Sequence, residues 1–160
     1  MQEPIVFTVF GRPQQRGSKQ ASLIPKRGGG FVQKNGRPIV VARDMNKNSG
    51  EWMQQVRAAA HEAYSGELLT GPLRVQAVFY FRRPKSHYRT GSKSSFLRDG
   101  APMYHEGTPD LDKLQRAIGD SLSGVVIADD KQIAVWQAHK YFTADAERVE
   151  IEIQPLLATA

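Results

Sequence analysis

The sequence predicts an α+β fold, a single domain with a mixed β-sheet and two main helices packed on it. Three observations predict it: β-prone residues alternate apolar and polar in several separated segments, two other segments place apolar residues at helical spacing, and 160 residues with 40% hydrophobic side chains suffice for one sizeable core. Ile5 to Phe10 is rich in Val, Ile, Phe and Thr and reads as a first strand, ended by Gly11-Arg12-Pro13. A basic, proline-bearing loop is expected at about 11–30. Phe31-Val-Gln33 and Arg37 to Ala42 flank Lys34-Asn35-Gly36, and Asn-Gly between β-prone runs signals a hairpin. Trp52, Val56, Ala59, Ala60 and Ala63 recur at helical spacing, which predicts a helix from about Ser49 to Tyr64 with Asn48 or Ser49 as N-cap and Gly66 as the stop.

Pro72 to Phe81 alternates at first and is then continuously apolar, as a core strand with one well-covered face would be. From 82 to 107, prolines, glycines, serines and basic residues show no period, which predicts a second long loop of the kind that carries function. A helix follows from Pro109 to about Leu122, with Leu111, Leu114, Ile118 and Leu122 on one stripe and Gly124 after its end. Val125-Val-Ile127 is a short apolar return, Ile133 to Phe142 a further strand, and Arg148 to Ile153 a last one.

Without cysteine, a bound metal must take oxygen or imidazole ligands, which favours a hard cation in a reducing compartment. No apolar run approaches the ~18 residues of a membrane span, and Met-Gln-Glu-Pro does not open a signal peptide, so a soluble, cytoplasmic protein is expected. The net charge of +6 is segregated. Residues 1–50 hold nine Lys/Arg against Glu3 and Asp44, residues 82–98 hold six and no acid, and the remainder carries −7. Clustered cations suit a polyanionic partner, because they release counterions from phosphates. Arg12, Arg16, Lys19, Arg82, Arg83, Lys85, Arg89 and Lys93 are the candidate DNA-binding residues; solvated loops are the plain alternative.

The chemistry concentrates in Asp110-Leu-Asp112-Lys113 and Asp129-Asp130. Pro109 fits the first turn of a helix, placing Asp110 and Asp112 where the macrodipole favours negative charge. From Asp110 to Leu122 the helix would run ~18 Å, and an extended Gly124–Asp129 would return ~17 Å. Four carboxylates brought together repel, and a divalent cation removes that cost. Mg²⁺, with Mn²⁺ as a substitute, takes oxygen ligands and pairs with phosphates, so Asp110, Asp112, Asp129 and Asp130 are expected as metal ligands for phosphodiester hydrolysis. Lys113 and Arg116 are the candidate electrophilic partners, with an ordinary helical ion pair as the alternative.

Pro109-Asp-Leu-Asp-Lys-Leu-Gln-Arg-Ala-Ile-Gly-Asp-Ser-Leu122 followed by Gly124-Val-Val-Ile-Ala-Asp-Asp-Lys-Gln-Ile133 resembles the RusA family of Holliday junction resolvases, many of them from phages and prophages. Weaker similarity reaches Gly11-Arg-Pro13 with Arg16, Lys140 and the Arg148–Ile153 segment. The resemblance implies a RusA-like fold, a homodimer and cleavage of branched DNA such as four-way junctions, in the host cytoplasm where the gene is a phage's. It gives Asp110, Asp112 and Asp130 the metal-binding positions and Asp129 the accompanying one. It also shows two departures: Lys113 stands where many members have asparagine, and Arg116 replaces the catalytic lysine. Arginine keeps the charge and grips phosphate bidentately but does not readily donate a proton.

His61, His87, His105 and His139 lack metal-ligand spacing, Gly28-Gly-Gly30 reads as a hairpin tip rather than a phosphate loop, and Tyr88, Phe96 and Tyr104 either stack on bases or pack their loop onto the body. Two further classes of function compete with the endonuclease: a non-catalytic nucleic-acid-binding protein with a structural cation, and a Mg²⁺ phosphohydrolase of nucleotides. The second leaves the basic segments without a purpose.

Overall fold

The computed structural model describes residues 3–44 and 46–157, with the side chains of Lys19, Arg43 and Asp44 outside that description. In chain order the elements are β1 (Ile5–Phe10), β2 (Lys19–Leu23), β3 (Gln33–Lys34), β4 (Arg37–Pro38), β5 (Val40–Asp44), α1 (Ser49–Ala63), β6 (Leu73–Arg82), α2 (Leu111–Leu122), β7 (Ile133–Thr143) and β8 (Arg148–Pro155). The main sheet has the order β1-β8-β6-β7, with β6 and β7 parallel and the other neighbours antiparallel. It is the expected mixed sheet, and the parallel pair arises because the connection from β6 to β7 contains α2.

One core joins sheet and helices. β1 buries Ile5, Phe7 and Val9, β6 buries Leu73, Val75, Ala77, Phe79 and Phe81, and β8 buries Val149, Ile151 and Ile153. Against this face lie Trp52, Val56 and Ala60 of α1 and Leu114, Ile118 and Leu122 of α2. The helical stripes read from the sequence are the contact faces except at Ala63, which is exposed, while Met53 is buried without having been part of the stripe. β6 alternates along its whole length, with half-buried residues such as Val78 and Tyr80 on the other face, rather than turning continuously buried. The helix α1 ends at Ala63 with Tyr64 as C-cap, two residues before Gly66.

The expected loop at 11–30 contains a strand. β2 pairs with β5, and the Asn35-Gly36 turn joins β3 to β4 with both residues at positive φ, 53° and 74°. That pair of angles suits a two-residue hairpin, which explains the choice of Asn-Gly. These four short strands pair only among themselves and form an arm outside the main sheet. No helix of the described residues is long and apolar enough to cross a membrane.

Residues 83–107 form the expected connection, punctuated by 3₁₀ turns at Lys85–His87 and Gly91–Lys93. Its end is stitched to β7: the His105 N–H donates to the Lys140 carbonyl at 3.0 Å, and Tyr104 bridges Tyr141. The His105 ring packs at a tilt against Phe81 and Phe142, with centroids 4.4 and 4.9 Å away, so it fastens the loop to the body. Burial first, and the Lys140 charge second, lower its pKa from the usual 6.5. Between the folded value and 6.5 the unfolded chain binds more protons, so stability is lost as pH falls through that window. Thermal melts across pH 7 to 5 should show a decline that His105→Phe flattens; parallel curves would mean that His105 does not titrate on unfolding.

Candidate active site

The second helix is shorter at its start than the sequence suggested. Asp110 is the N-cap in extended conformation and α2 begins at Leu111, so Pro109 precedes the helix, with the Thr108–Pro109 peptide cis. The Asp110 N–H donates to Gln15 Oε1 at 2.6 Å, and its carboxylate meets Lys113 Nζ at 2.8 Å. The Lys113 hydrogen bond and charge hold the Asp110 carboxyl below the ordinary carboxylate range, and Asp110 raises Lys113 in return. The alternative of a helical ion pair thus describes Lys113.

Asp112, Arg116 and Asp120 recur every fourth residue along one side of α2, with Asp112 and Arg116 exposed and Asp120 half-buried. Among the described residues neither Asp112 nor Arg116 forms a salt bridge.

The expected extended return is absent. After Leu122 the chain turns tightly: the Val126 N–H donates to the Leu122 carbonyl at 3.0 Å, and the Gly124 N–H to the Ile127 carbonyl at 2.7 Å. Val126 and Ile127 are fully buried, so their apolar character reflects the core beneath a turn. Asp129 and Asp130 consequently reach the C-terminal half of α2. A Cβ built on Gly119 would lie 3.5 Å from the Asp130 Cβ and 3.9 Å from the Ile133 Cδ1, ordinary van der Waals distances, so this part of α2 lies directly against Asp130 and the start of β7. Gly119 is about two turns beyond Asp112 on the same side of the helix. The four aspartates are thus spread along one helix flank, Asp110 and Asp112 at its start and Asp129 and Asp130 near its end.

Asp129 caps the 3₁₀ turn Asp130–Gln132: Oδ1 accepts the Lys131 N–H at 3.0 Å, and Gln132 Oε1 accepts the Asp129 N–H at 3.0 Å. The Lys131 N–H lowers the Asp129 pKa. Asp130 is exposed. Both aspartates line a cleft of about 570 Å³ between α1 and α2, shared with Asp120, Ser123, Arg16 and Arg57. Arg16 Nε lies 2.9 Å from Asp120 Oδ2, and Arg57 Nη2 reaches the Asp120 carbonyl at 3.4 Å. Two cations face three carboxylates across a space open to solvent.

The donor set fits Mg²⁺ in kind, being carboxylate oxygen beside cations that attract phosphate. Among the described residues no group of three or more Asp, Glu, His or Cys side chains is close enough to hold an ion ready-made. Mg²⁺ commonly takes one or two carboxylates and completes its shell with water and substrate phosphate; Asp112 and Asp130 are exposed carboxylates of that kind, about two helical turns apart.

Lys140 was named in the sequence only as part of a weak flank. Its Nζ donates to the Gly107 and Pro109 carbonyls, both at 2.7 Å, clamping the strap that leads into Asp110. Burial lowers its pKa, with the Asp110 charge opposing. Asp120 and Arg57 carried no assigned role either. Asp120 could have been found from its position one turn after Arg116; Gln15, Arg57 and Lys140 gave no local signal, because their partners are distant in sequence.

The candidate DNA-binding residues divide. Arg12 lies 3.7 Å from Glu147 at the end of the sheet, Arg16 lines the cleft, and Lys19 opens β2, with its side chain outside the described part. Arg83 lies over Phe142 and donates to the Pro102 carbonyl at 2.6 Å, and Arg89 pairs with Asp99 at 2.8 Å, so both also hold their own loop. Arg82, Lys85 and Lys93 are exposed.

The signature of the family described as Endodeoxyribonuclease RusA matches residues 25–154, which include every aspartate discussed above. A Bacillus subtilis (strain 168) protein described as "Uncharacterized protein YqaN" is 27% identical over 154 residues, covering 96% of this chain and 98% of that protein.

Proposed function

The chain belongs to the RusA family of endodeoxyribonucleases, and we propose that it resolves four-way DNA junctions by Mg²⁺-dependent phosphodiester hydrolysis, acting as a homodimer so that two sites cut two strands. The observation that carries this reading is the cleft-and-flank arrangement: exposed Asp112 and Asp130 on one side of α2, with Arg16 and Arg57 facing the acids of the cleft. Asp112 and Asp130, towards opposite ends of the flank, would each offer a carboxylate oxygen to Mg²⁺ that enters with the substrate phosphate, with Asp110 and Asp129 completing the acidic surroundings; Mn²⁺ can substitute. When bound, the ion lowers the pKa of a coordinated water and offsets charge on the scissile phosphate. Arg116, between the two carboxylates, stabilises the phosphorane-like charge as a fixed cation, a role that requires no proton donation. Arg16 and Arg57 grip the neighbouring backbone.

A structural role is favoured at Asp129, whose carboxylate caps the 3₁₀ turn. That observation concerns one acid; the structural part of Asp112 is that of an exposed acid in the first turn of α2, and Asp130 is exposed. The test is cleavage of a synthetic four-way junction with and without Mg²⁺, beside linear duplex and small phosphoesters. Paired symmetric nicks that require the ion support the reading; salt-sensitive binding without cleavage points to a non-catalytic binder, and hydrolysis of small phosphoesters alone points to a nucleotide phosphohydrolase.

A further inference from the structure

The arm formed by β2 to β5 has no part in the core and carries a charge pattern of its own. Its outer portion divides into two tips. One is the turn Lys26 to Gly30, where the Lys26 N–H donates to the Gly30 carbonyl at 3.0 Å and Gly28, Gly29 and Gly30 all take positive φ. The other is the Asn35-Gly36 turn, flanked by Lys34 and Arg37. Each tip thus presents two cations, Lys26 with Arg27 and Lys34 with Arg37, all four exposed. From residue 20 to residue 42 the sequence holds no acid. A glycine tip also leaves its backbone N–H groups uncovered by side chains, which suits close approach to an anion.

The root of the arm is tied to the candidate active site. The Arg16 N–H donates to the Lys113 carbonyl at 3.2 Å, Gln15 Oε1 accepts the Asp110 N–H at 2.6 Å, and Asn46 Nδ2 donates to the Gln15 carbonyl at 2.8 Å. Both strands of the ribbon therefore leave the body beside the start of α2. Extended chain from Arg16 to Lys26 spans at most ~33 Å, about one turn of B-DNA. A two-stranded ribbon is of a size that the major groove admits.

We infer that this ribbon is a DNA-gripping arm, whose two cationic tips straddle the phosphates of one duplex arm within one helical turn of the scissile bond. The inference rests on the reading of the chain as an endonuclease of branched DNA, and it adds a surface that the catalytic residues do not include. Leu23, Phe31 and Val40 are also exposed on the ribbon, so a second copy of the chain is the competing occupant.

The test compares the full chain with the variant Lys26→Gln/Arg27→Gln/Lys34→Gln/Arg37→Gln, binding a synthetic four-way junction without divalent ions over a range of salt concentrations. Each lost phosphate contact lowers the slope of log K against log salt by about 1, so a drop of about 2 to 4 is expected, with affinity falling at least ~10-fold. Phosphate-ethylation interference should lose its signal within ~10 bp of the cut while keeping it at the cut itself. A second variant replaces Ile24–Ile39 by Asn-Gly and should reproduce the drop. An unchanged slope and affinity would overturn the inference, as would a concentration-dependent dimer lost in the variants with the slope retained. A slope drop alongside a wild type that cuts no branched DNA would sink the endonuclease reading alone; normal cutting with an unchanged slope would sink the arm alone.

Discussion

The Asp112→Asn protein is expected to bind a four-way junction at least as tightly as the wild type and to cut it at least ~10²–10³-fold more slowly, equivalent to roughly 3–4 kcal/mol of transition-state stabilisation. Both halves of the expectation come from the same change. The carboxylate is exposed and forms no salt bridge among the described residues, so the fold does not depend on it. Its removal also takes a negative charge away from the path of a polyanion, which favours binding. The remaining structural effect is the loss of one acid from the first turn of α2, about 0.3–1 kcal/mol. Gel-shift affinity, single-turnover cleavage and a melting curve on one preparation separate the three. Undiminished cleavage would remove Asp112 from the proposed site.

Lys140→Met should give the second large effect, through position rather than charge at the reacting atoms. Methionine keeps the apolar stem but removes both donors to the Gly107 and Pro109 carbonyls. Hydrogen bonds from a charged donor contribute about 1.5–3 kcal/mol each, and the exposed one to Gly107 is largely replaced by water, so a stability loss of roughly 2–4 kcal/mol is expected. Asp110, attached directly to Pro109, would lose its fixed approach to Lys113 and Gln15. Asp110 caps the helix turn that carries Asp112, so its displacement would disturb that proposed ligand; changes to groups that orient metal ligands typically cost ~10–100-fold in metal affinity or activity, and the Mg²⁺ concentration for half-maximal cleavage should rise by that factor. Lys140→Arg should recover part of it. A destabilised protein with an unchanged Mg²⁺ midpoint would make the clamp a matter of folding only.

What the sequence disclosed is what local chemistry determines. Ile5, Phe7 and Val9 alternate because one face of β1 is buried, Asn35-Gly36 turns because both residues tolerate positive φ, and Leu114, Ile118 and Leu122 align because α2 has one apolar side. The segment Val125–Ile127 misled for a reason that is also local: a short apolar run is the same whether it is extended in a sheet or folded under a core. The aspartates stood out as residues, whereas their arrangement depended on that turn. Gln15, Arg57 and Lys140 were silent because hydrogen bonds to carbonyls and amides tens of residues away leave no spacing to read.

The strand β7 is fixed to α2 and to its approach: Ile133 and the preceding Asp130 lie against Gly119, and Lys140 holds Pro109, just before the helix N-cap. It therefore works as a gauge for the site, since both carboxylate-bearing ends of the helix are indexed to one rigid rod. One residue added between Ile133 and Lys140 would move the second contact by ~3.3 Å and turn the Lys140 side chain to the opposite face of the sheet. Length is free to drift in the loop from residue 83 to 107, which approaches the site from outside. In β7 it is a dimension of the candidate active site itself.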